Sequence, residues 1–272
     1  MSAVNLSSSA RTGLSVLRSV ADQMEVTQKR LATGKAVNSP IDNVSKFFTA
    51  ASMDSRASTL DALMDNISSA HTSVKAASEG VKGIQGLIKV ARGLATEALG
   101  ADATKRTALM GQFNTLRTEM AQLADDAGIN GTNLLKGNSI TVLLNEDGTS
   151  KTTIAGTNIT DTLVAEAEDW GDAVAADAIA AIGDSIADLD TAEDTLKAAA
   201  TAFSSSLATI NTRKDFNTAL SNLLKTGSND LTAADMDQEA ANLMALQTRQ
   251  QMAATALSIM QSSESTALRL LR

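Results

Sequence analysis

Apolar residues recur at alternating steps of three and four through most of this chain, the spacing that gathers them on one face of a helix. The longest uninterrupted run is Leu60, Leu63, Ile67, Ala70, Val74, Ala77, Val81, Ile84, Ile88, Ala91, Ala95 and Ala98. It predicts a helix from about Asp42 to Leu99, closed by Gly100 and roughly 80 Å long at about 1.5 Å per residue. Leu109, Phe113, Leu116, Met120, Leu123 and Ala127 carry the period through a second helix, Asp102 to Ala127. The short link between these two helices folds them antiparallel. A third run, from Ala173 to Lys225, uses Ile179, Ile182, Ile186, Leu189, Glu193, Leu196, Ala200, Phe203, Leu207 and Ile210. Its phase then slips to Phe216, Leu220 and Leu223, before Gly227-Ser228-Asn229-Asp230 breaks it.

Both ends of the chain repeat the theme. Ala10, Leu14, Leu17, Ala21, Met24, Gln28 and Leu31 predict a helix from about Ser7 to Thr33, stopped by Gly34 and Ser39-Pro40. Asn38 and Asp42 supply turn and cap chemistry there. Leu243, Leu246, Gln250, Ala253, Leu257, Met260, Glu264, Ala267 and Leu271 predict a closing helix with Thr232 as its N-cap. It carries a second apolar line, Ala245, Met252, Ala256 and Ile259. A heptad seam needs a partner to cover it, and a helix apolar on two sides needs more than one.

Between Ala127 and Ala173 the period changes. Ile129-Asn130-Gly131-Thr132 is a turn signal. Ser139–Leu144 and Lys151–Ala155 read as strands joined through Asn145-Glu146-Asp147-Gly148, whose Asp-Gly favours a hairpin. Asn158–Gly171 reads as a small, irregular, acidic insertion holding the only tryptophan. The expected fold is mainly α: long antiparallel coiled-coil helices, paired N- and C-terminal helices, and a small central β-hairpin insertion.

Composition sharpens this picture. The chain has 272 residues, 43% of them hydrophobic but only 2% aromatic, so small aliphatic side chains must do the packing. A single proline leaves long helices unbroken. The formal charge of −8 is concentrated: residues 161–194 hold eleven acidic side chains and no Lys or Arg, leaving the remainder at +3. A chain so charged has no clustered cations for phosphates, so nucleic acid is not an expected partner, and the acidic block reads as a solvated face. With no cysteine, neither a disulfide nor a Cys-based metal site is available. No apolar run approaches the roughly 18 residues of a membrane span. Met1–Ala10 is polar and Ser-rich, unlike a secretory signal peptide. Taken alone, these features point to a cytosolic protein.

Candidate chemistry is sparse. His71, the only histidine, lies beside the seam and reads as a helix position, with no second ligand or nucleophile near it in sequence. Gly80, Gly83 and Gly86 fall inside an unbroken heptad rather than after a strand, so they signal close helix approach and not a phosphate loop. Asp125-Asp126 and Asp188/Asp190 lack the spacing of a calcium loop. The Asn-x-Ser/Thr triplets at Asn5, Asn43, Asn66, Asn130 and Asn158 read as chance matches. No catalytic residue, metal or cofactor is expected.

Several stretches together resemble bacterial flagellin. Leu31-Ala32-Thr33-Gly34-Lys35-Ala36-Val37-Asn38-Ser39 is similar to the family's connector after its first helix. Glu79-Gly80, Arg92-Gly93-Leu94-Ala95 and Ile129-Asn130-Gly131-Thr132-Asn133-Leu134-Leu135 resemble its long-helix and turn motifs. Ala240-Ala241-Asn242-Leu243, Leu246-Gln247-Thr248-Arg249-Gln250-Gln251 and Leu268-Arg269-Leu270-Leu271-Arg272 resemble its closing signature. At Asp42-Asn43-Val44-Ser45-Lys46 the chain departs from the family's acidic run.

The resemblance implies a structural subunit that polymerises into the flagellar filament for motility, and no enzyme. It implies an inner core domain from 1–41 and 230–272, a coiled-coil rod from 42–135 and 173–229, and an outward-facing insertion at 136–172. Self-assembly would then use Leu6, Leu14, Leu17, Met24 and Leu31 at one end, with Leu243, Leu246, Ala253, Leu257, Met260, Leu268 and Leu271 at the other. The implied partners are other copies of the chain in a homopolymer, a flagellar export chaperone, the type III export apparatus, and the hook-associated and filament cap proteins. The implied location is extracellular, in the filament, with no membrane insertion. Two other readings share some features: a hook–filament junction protein, with similar end helices, and a cytoplasmic signalling coiled coil, with similar Ala/Ser-rich heptads.

Overall fold

The computed structural model describes residues 8–159 and 165–270. Five helices and a two-stranded antiparallel sheet follow in order: α1 (Ser8–Thr33), α2 (Val44–Leu99), α3 (Ala103–Asp126), β1 (Ile140–Leu143), β2 (Lys151–Ile154), α4 (Ala175–Thr232) and α5 (Met236–Leu270). The mainly-α class with a central hairpin is therefore the fold that the spacing predicts. The chain divides into two compact units, one formed by Met1–Ser55 with Leu223–Arg272, the other by Arg56–Asn222.

In the unit Arg56–Asn222, all twelve α2 seam residues are buried, none more than 6% exposed. Burial of such side chains contributes about 25 cal/mol per Å² of apolar surface removed from water, so this seam supports the unit along the length of α2. A Cβ built on Gly80 would lie 2.8 Å from Ala127 Cβ, and one on Gly83 2.7 Å from Leu123 Cδ2. These pairings run in opposite chain directions, so α3 packs antiparallel on α2. Gly86, by contrast, has open space around it, so close approach explains only two of the three glycines. Asp102 caps α3 by accepting from the Lys105 amide at 2.8 Å. Across to α4, Arg92 Nη2 donates to Asp190 Oδ1 at 2.5 Å and Glu193 Oε2 at 2.6 Å. Lys197 reaches the same Glu193, and its hydrogen bond is the chief reason that carboxyl is held below its ordinary pKa.

The hairpin pairs Ile140 with Ile154 and Leu143 with Lys151. Gly148 adopts φ 65° in the connecting loop, a conformation that costs glycine little. The loop is pinned by Arg56, whose Nε and Nη2 donate to both Glu146 carboxylate oxygens. The described end of the acidic insertion, residues 165–171, is anchored through Ala167 and Trp170. Trp170 is fully buried on Phe113, ring centroids 5.0 Å apart, and its Nε1 donates to Ser185 Oγ at 3.2 Å. Asn114 exchanges two hydrogen bonds with the backbone of Ala167.

The second half of α4 departs from the sequence pattern. The phase does not slip after Ile210: the buried lane continues through Asn217, Ser221, Leu224, Ser228 and Thr232, while Phe216 and Leu223 are exposed. Polar groups can occupy this lane because they are satisfied. Ser221 Oγ donates to Asp61 Oδ1 at 2.8 Å, and Asn217 Nδ2 to the Leu144 carbonyl at 3.4 Å. Nor does Gly227-Ser228-Asn229-Asp230 break the helix, because one interior glycine costs only about 1 kcal/mol and Gly227 packs against Met53. Thr232 thus ends α4 instead of capping α5. The cap is Asp235, whose Oδ1 accepts from the amides of Asp237 and Gln238 at 3.1 Å.

Candidate assembly interface

In the other unit, α1 and α5 pack against each other. A Cβ on Gly13 would meet Leu257 Cδ1 at 3.0 Å and Met260 Cε at 3.4 Å, while Arg30 reaches Glu239 near the opposite ends of both helices. The pair is therefore antiparallel. The returning chain locks it in place. Ala36 N donates to the Thr232 carbonyl at 2.7 Å and Ala234 N to the Gly34 carbonyl at 2.9 Å, with Lys35 and Ala233 forming an isolated bridge. Gly34 makes this turn possible at φ 70°, closing α1 through its amide to Arg30 O.

The connector is organised by Asp42. Its Oδ2 accepts from the amides of Asn38 and Ser39 at 2.9 Å and from Ser39 Oγ at 3.0 Å. The Asn38 amide is the main reason its carboxyl lies below the usual value, joined by the Ser39 hydroxyl. Asn43 then starts α2, accepting from the Lys46 amide at 2.9 Å.

The seam between α1 and α5 is one residue out of phase with the α1 pattern. Shared positions Ala10, Leu17, Met24 and Leu31 are buried or half-buried, but their companions are Gly13, Val20 and Thr27, not Leu14, Ala21 and Gln28. Small and polar side chains win because α5 passes close: Gly13 admits Leu257. On α5, Leu243, Leu246, Ala253, Leu257 and Met260 all face the pairing, while Gln250 is exposed. Leu6 and Leu271 lie outside the described residues, as does the side chain of Leu268.

Pairing leaves an apolar set uncovered within the chain. On α1 these are Leu14, Val16 and Val26; on α5, Met244 is 69% exposed, Met252 60% and Ile259 62%. They include two residues of the second α5 line read from the sequence. A groove of about 400 Å³ lies between the helices, lined by Thr12, Gly13, Val16, Ala253, Ala256 and Met260. A neighbouring one of about 470 Å³ is more polar, with Asp22, Gln23, Arg30, Asn242 and Arg249 in its walls. Such a surface offers burial to a partner helix. Among the described residues no three His, Asp or Glu side chains gather as a metal site, and no helix is long and apolar enough to cross a membrane.

The profile of the bacterial flagellin N-terminal helical region matches residues 4–140, half of the chain. The chain belongs to the flagellin family. It is 28% identical to flagellin FljO of Caulobacter vibrioides over 100% of its own length and 99% of that protein. To a flagellin of Brucella melitensis it is 29% identical over 100% of both chains. Among solved structures it is similar to Bacillus cereus flagellin, with a TM-score of 0.41 and 19% identity over 65% of this chain and 94% of that one. As a flagellin, the protein is a structural subunit of the bacterial flagellar filament and not an enzyme. Nothing in these matches favours the hook–filament junction or signalling coiled-coil readings.

Proposed function

We propose that this flagellin polymerises through its paired terminal helices, the contacts between subunits being made by apolar residues that α1 and α5 leave uncovered. The observation that carries this reading is the exposure of Leu14, Val16, Val26, Met244, Met252 and Ile259 on two helices that already cover each other. In an isolated subunit these side chains face water. Burial against neighbours contributes about 1.5–3 kcal/mol for each large one, repeated in every copy. Leu17, Met24, Leu31, Leu243, Leu246, Ala253, Leu257 and Met260 have a preparatory role: they hold the pair in register so that the outer set is presented together. Leu14 belongs to the uncovered surface and not to the seam, and Leu6, Leu268 and Leu271 are assigned to the same contact.

Helices of this kind are marginal alone in water and gain order from packing. Folding of the ends and assembly are thus one event. In this reading 1–41 with 230–272 forms the filament's inner core, 42–135 with 173–229 the surrounding rod, and 136–172 the outward insertion. The subunit leaves the cell through the type III export apparatus, escorted by an export chaperone, and meets hook-associated and cap proteins at the two ends of the filament. The extracellular location follows from that route.

Seeded sedimentation tests the interface. Purified subunit added to filament fragments should pellet, while Met252→Glu and Ile259→Glu together should leave it in the supernatant with unchanged helix content. Deletion of Leu243–Arg272 should have the same effect. Polymerisation of either variant at the normal concentration overturns the assignment.

A further inference from the structure

Two rows of exposed, oppositely charged side chains lie on the unit Arg56–Asn222; the inference drawn from them rests on the polymer-forming reading above. On α2, Lys75, Lys82 and Lys89 recur every seven residues and are all exposed. Each follows a buried seam residue (Val74, Val81, Ile88) by one position, on the same flank as Arg92, which follows buried Ala91. On α4, Asp177, Asp184 and Asp188 are exposed, and each precedes a buried residue by one position: Ala178, Ser185 and Leu189. The partners of Arg92, Asp190 and Glu193, instead follow buried Leu189 and Ala192. The three aspartates therefore occupy the flank of α4 turned away from α2.

The two rows cannot meet within one subunit. Arg92 on Asp190 and Glu193 fixes the level of α4 against α2, which places the middle lysine, Lys82, opposite about residue 200 of α4. Asp184 is some sixteen residues further, about 24 Å along the axis. Among the described residues, the one ion-pair partner of either row is Glu79, 2.9 Å from Lys82, with both side chains more than half exposed. Such an exposed pair exchanges readily with water. Residues 161–194 hold eleven acidic and no basic side chains, and among the described ones Arg92 and Lys197 engage Asp190, Glu193 and Asp194.

We propose that the lysine row of one subunit lies against the aspartate row of the next. Both rows climb about 10.5 Å per seven residues. With the two helices antiparallel, Lys89 meets Asp177, Lys82 meets Asp184, and Lys75 comes within a side chain's reach of Asp188. The partner is a second copy of this chain, because the matching row is on the same molecule. The offset of about 24 Å along the axis makes the contact head-to-tail, and head-to-tail contacts that do not close a ring generate an open filament.

Charge reversal tests this in the full-length protein. One variant carries Lys75→Glu with Lys82→Glu; the other carries Asp184→Lys with Asp188→Lys. Asp177 is left alone because it lies in the first turn of α4, where a carboxylate suits the helix dipole. Each variant alone, added to wild-type fragments in low salt, should need about a tenfold higher concentration to polymerise. An equimolar mixture should recover the wild-type concentration, since acidic and basic copies alternate. The defect of each variant should shrink as salt rises from about 0.05 M to about 0.5 M, where the screening length falls below about 5 Å. Circular dichroism on each variant checks that the helices are kept. If both folded variants polymerise like wild type, or if mixing fails to restore assembly, the proposed contact is wrong, while polymerisation of the wild type leaves the terminal-helix reading standing.

Discussion

Arg30 Nη1 donates to Glu239 Oε1 across 2.9 Å, joining the last turn of α1 to the first turn of α5. The glutamate side chain is only 10% exposed, the arginine 35%, so the pair is intermediate between a surface bridge and a buried one. It stands where Thr232, Ala234, Gly34 and Ala36 also tie the chain together, and it fixes the register from which both helices run. Glu239→Ala should lower the stability of the pairing by about 1–2 kcal/mol, less than for a fully buried pair because Arg30 can turn to water. Hydrogen exchange should accelerate in the last two turns of α1. Unchanged exchange there would show that the bridge does not set the register.

Trp170 gives the insertion a stronger hold than its irregular sequence suggests. It is fully buried against Phe113 and bonded to Ser185, so Trp170→Ala leaves a cavity between the insertion, α3 and α4. A cost of about 3–5 kcal/mol is expected. Ser185→Ala removes two hydrogen bonds, the one accepted from Trp170 Nε1 and the one donated to the Ala181 carbonyl. It leaves the buried indole N–H unpaired, so it should cost about 1–3 kcal/mol. Urea unfolding followed by circular dichroism measures both. A Trp170→Ala loss no larger than that of Ser185→Ala would mean that the insertion is peripheral to this unit's stability.

The sequence revealed the helices well wherever the buried positions are apolar. The α2 seam is the clearest case, since every inward step falls on Ala, Val, Ile or Leu. It misled where burial uses other chemistry. Gly13 and Thr27 are seam positions of α1 because a neighbouring helix passes close, yet Leu14 and Ala21 beside them are the more hydrophobic residues. In α4, Asn217 and Ser221 are buried because Leu144 and Asp61 satisfy them, and those partners are far away in sequence. Periodicity alone therefore slid to Phe216 and Leu223. The same limit hid the exposed set on α1 and α5: which face of a twice-apolar helix stays uncovered depends on where its partner lies.

The connector after α1 should be sensitive to acid in a specific direction. Asp42 has a lowered pKa because the Asn38 amide, then the Ser39 hydroxyl, bond to its ionised form. The ordering it gives is fully present above the ordinary value of 3.8 and is lost as pH falls through the lower folded value. Carbon NMR should show the Asp42 carboxyl titrating below 3.8, with loss of protection at the Asn38 and Ser39 amides over the same range. Asp42→Asn should remove that protection at neutral pH, because a neutral amide oxygen is the weaker acceptor. Titration at or above the ordinary value would contradict the geometry.

Two glycines of α2 should respond oppositely to the same substitution. Gly86 has no atom within 4 Å of where a Cβ would stand, and its place in a helix interior costs conformational entropy. Gly86→Ala should therefore stabilise the subunit by about 0.5–1 kcal/mol. At Gly80 the new methyl would meet Ala127 Cβ at 2.8 Å and Leu135 Cδ1 at 2.9 Å. Leucine can turn aside, but the alanine Cβ is fixed to its backbone, so α3 must move away from α2. Overpacking costs about 1–3 kcal/mol, which outweighs the propensity gain and makes Gly80→Ala destabilising. Gly83 separates the two effects, because its neighbour is the far end of Leu123, a flexible side chain that can yield. Thermal unfolding of the three alanine variants should place Gly86→Ala above wild type, Gly83→Ala near it and Gly80→Ala below. Equal shifts at all three positions would mean that helix propensity alone governs this face, and that the close packing of α3 on α2 contributes nothing measurable.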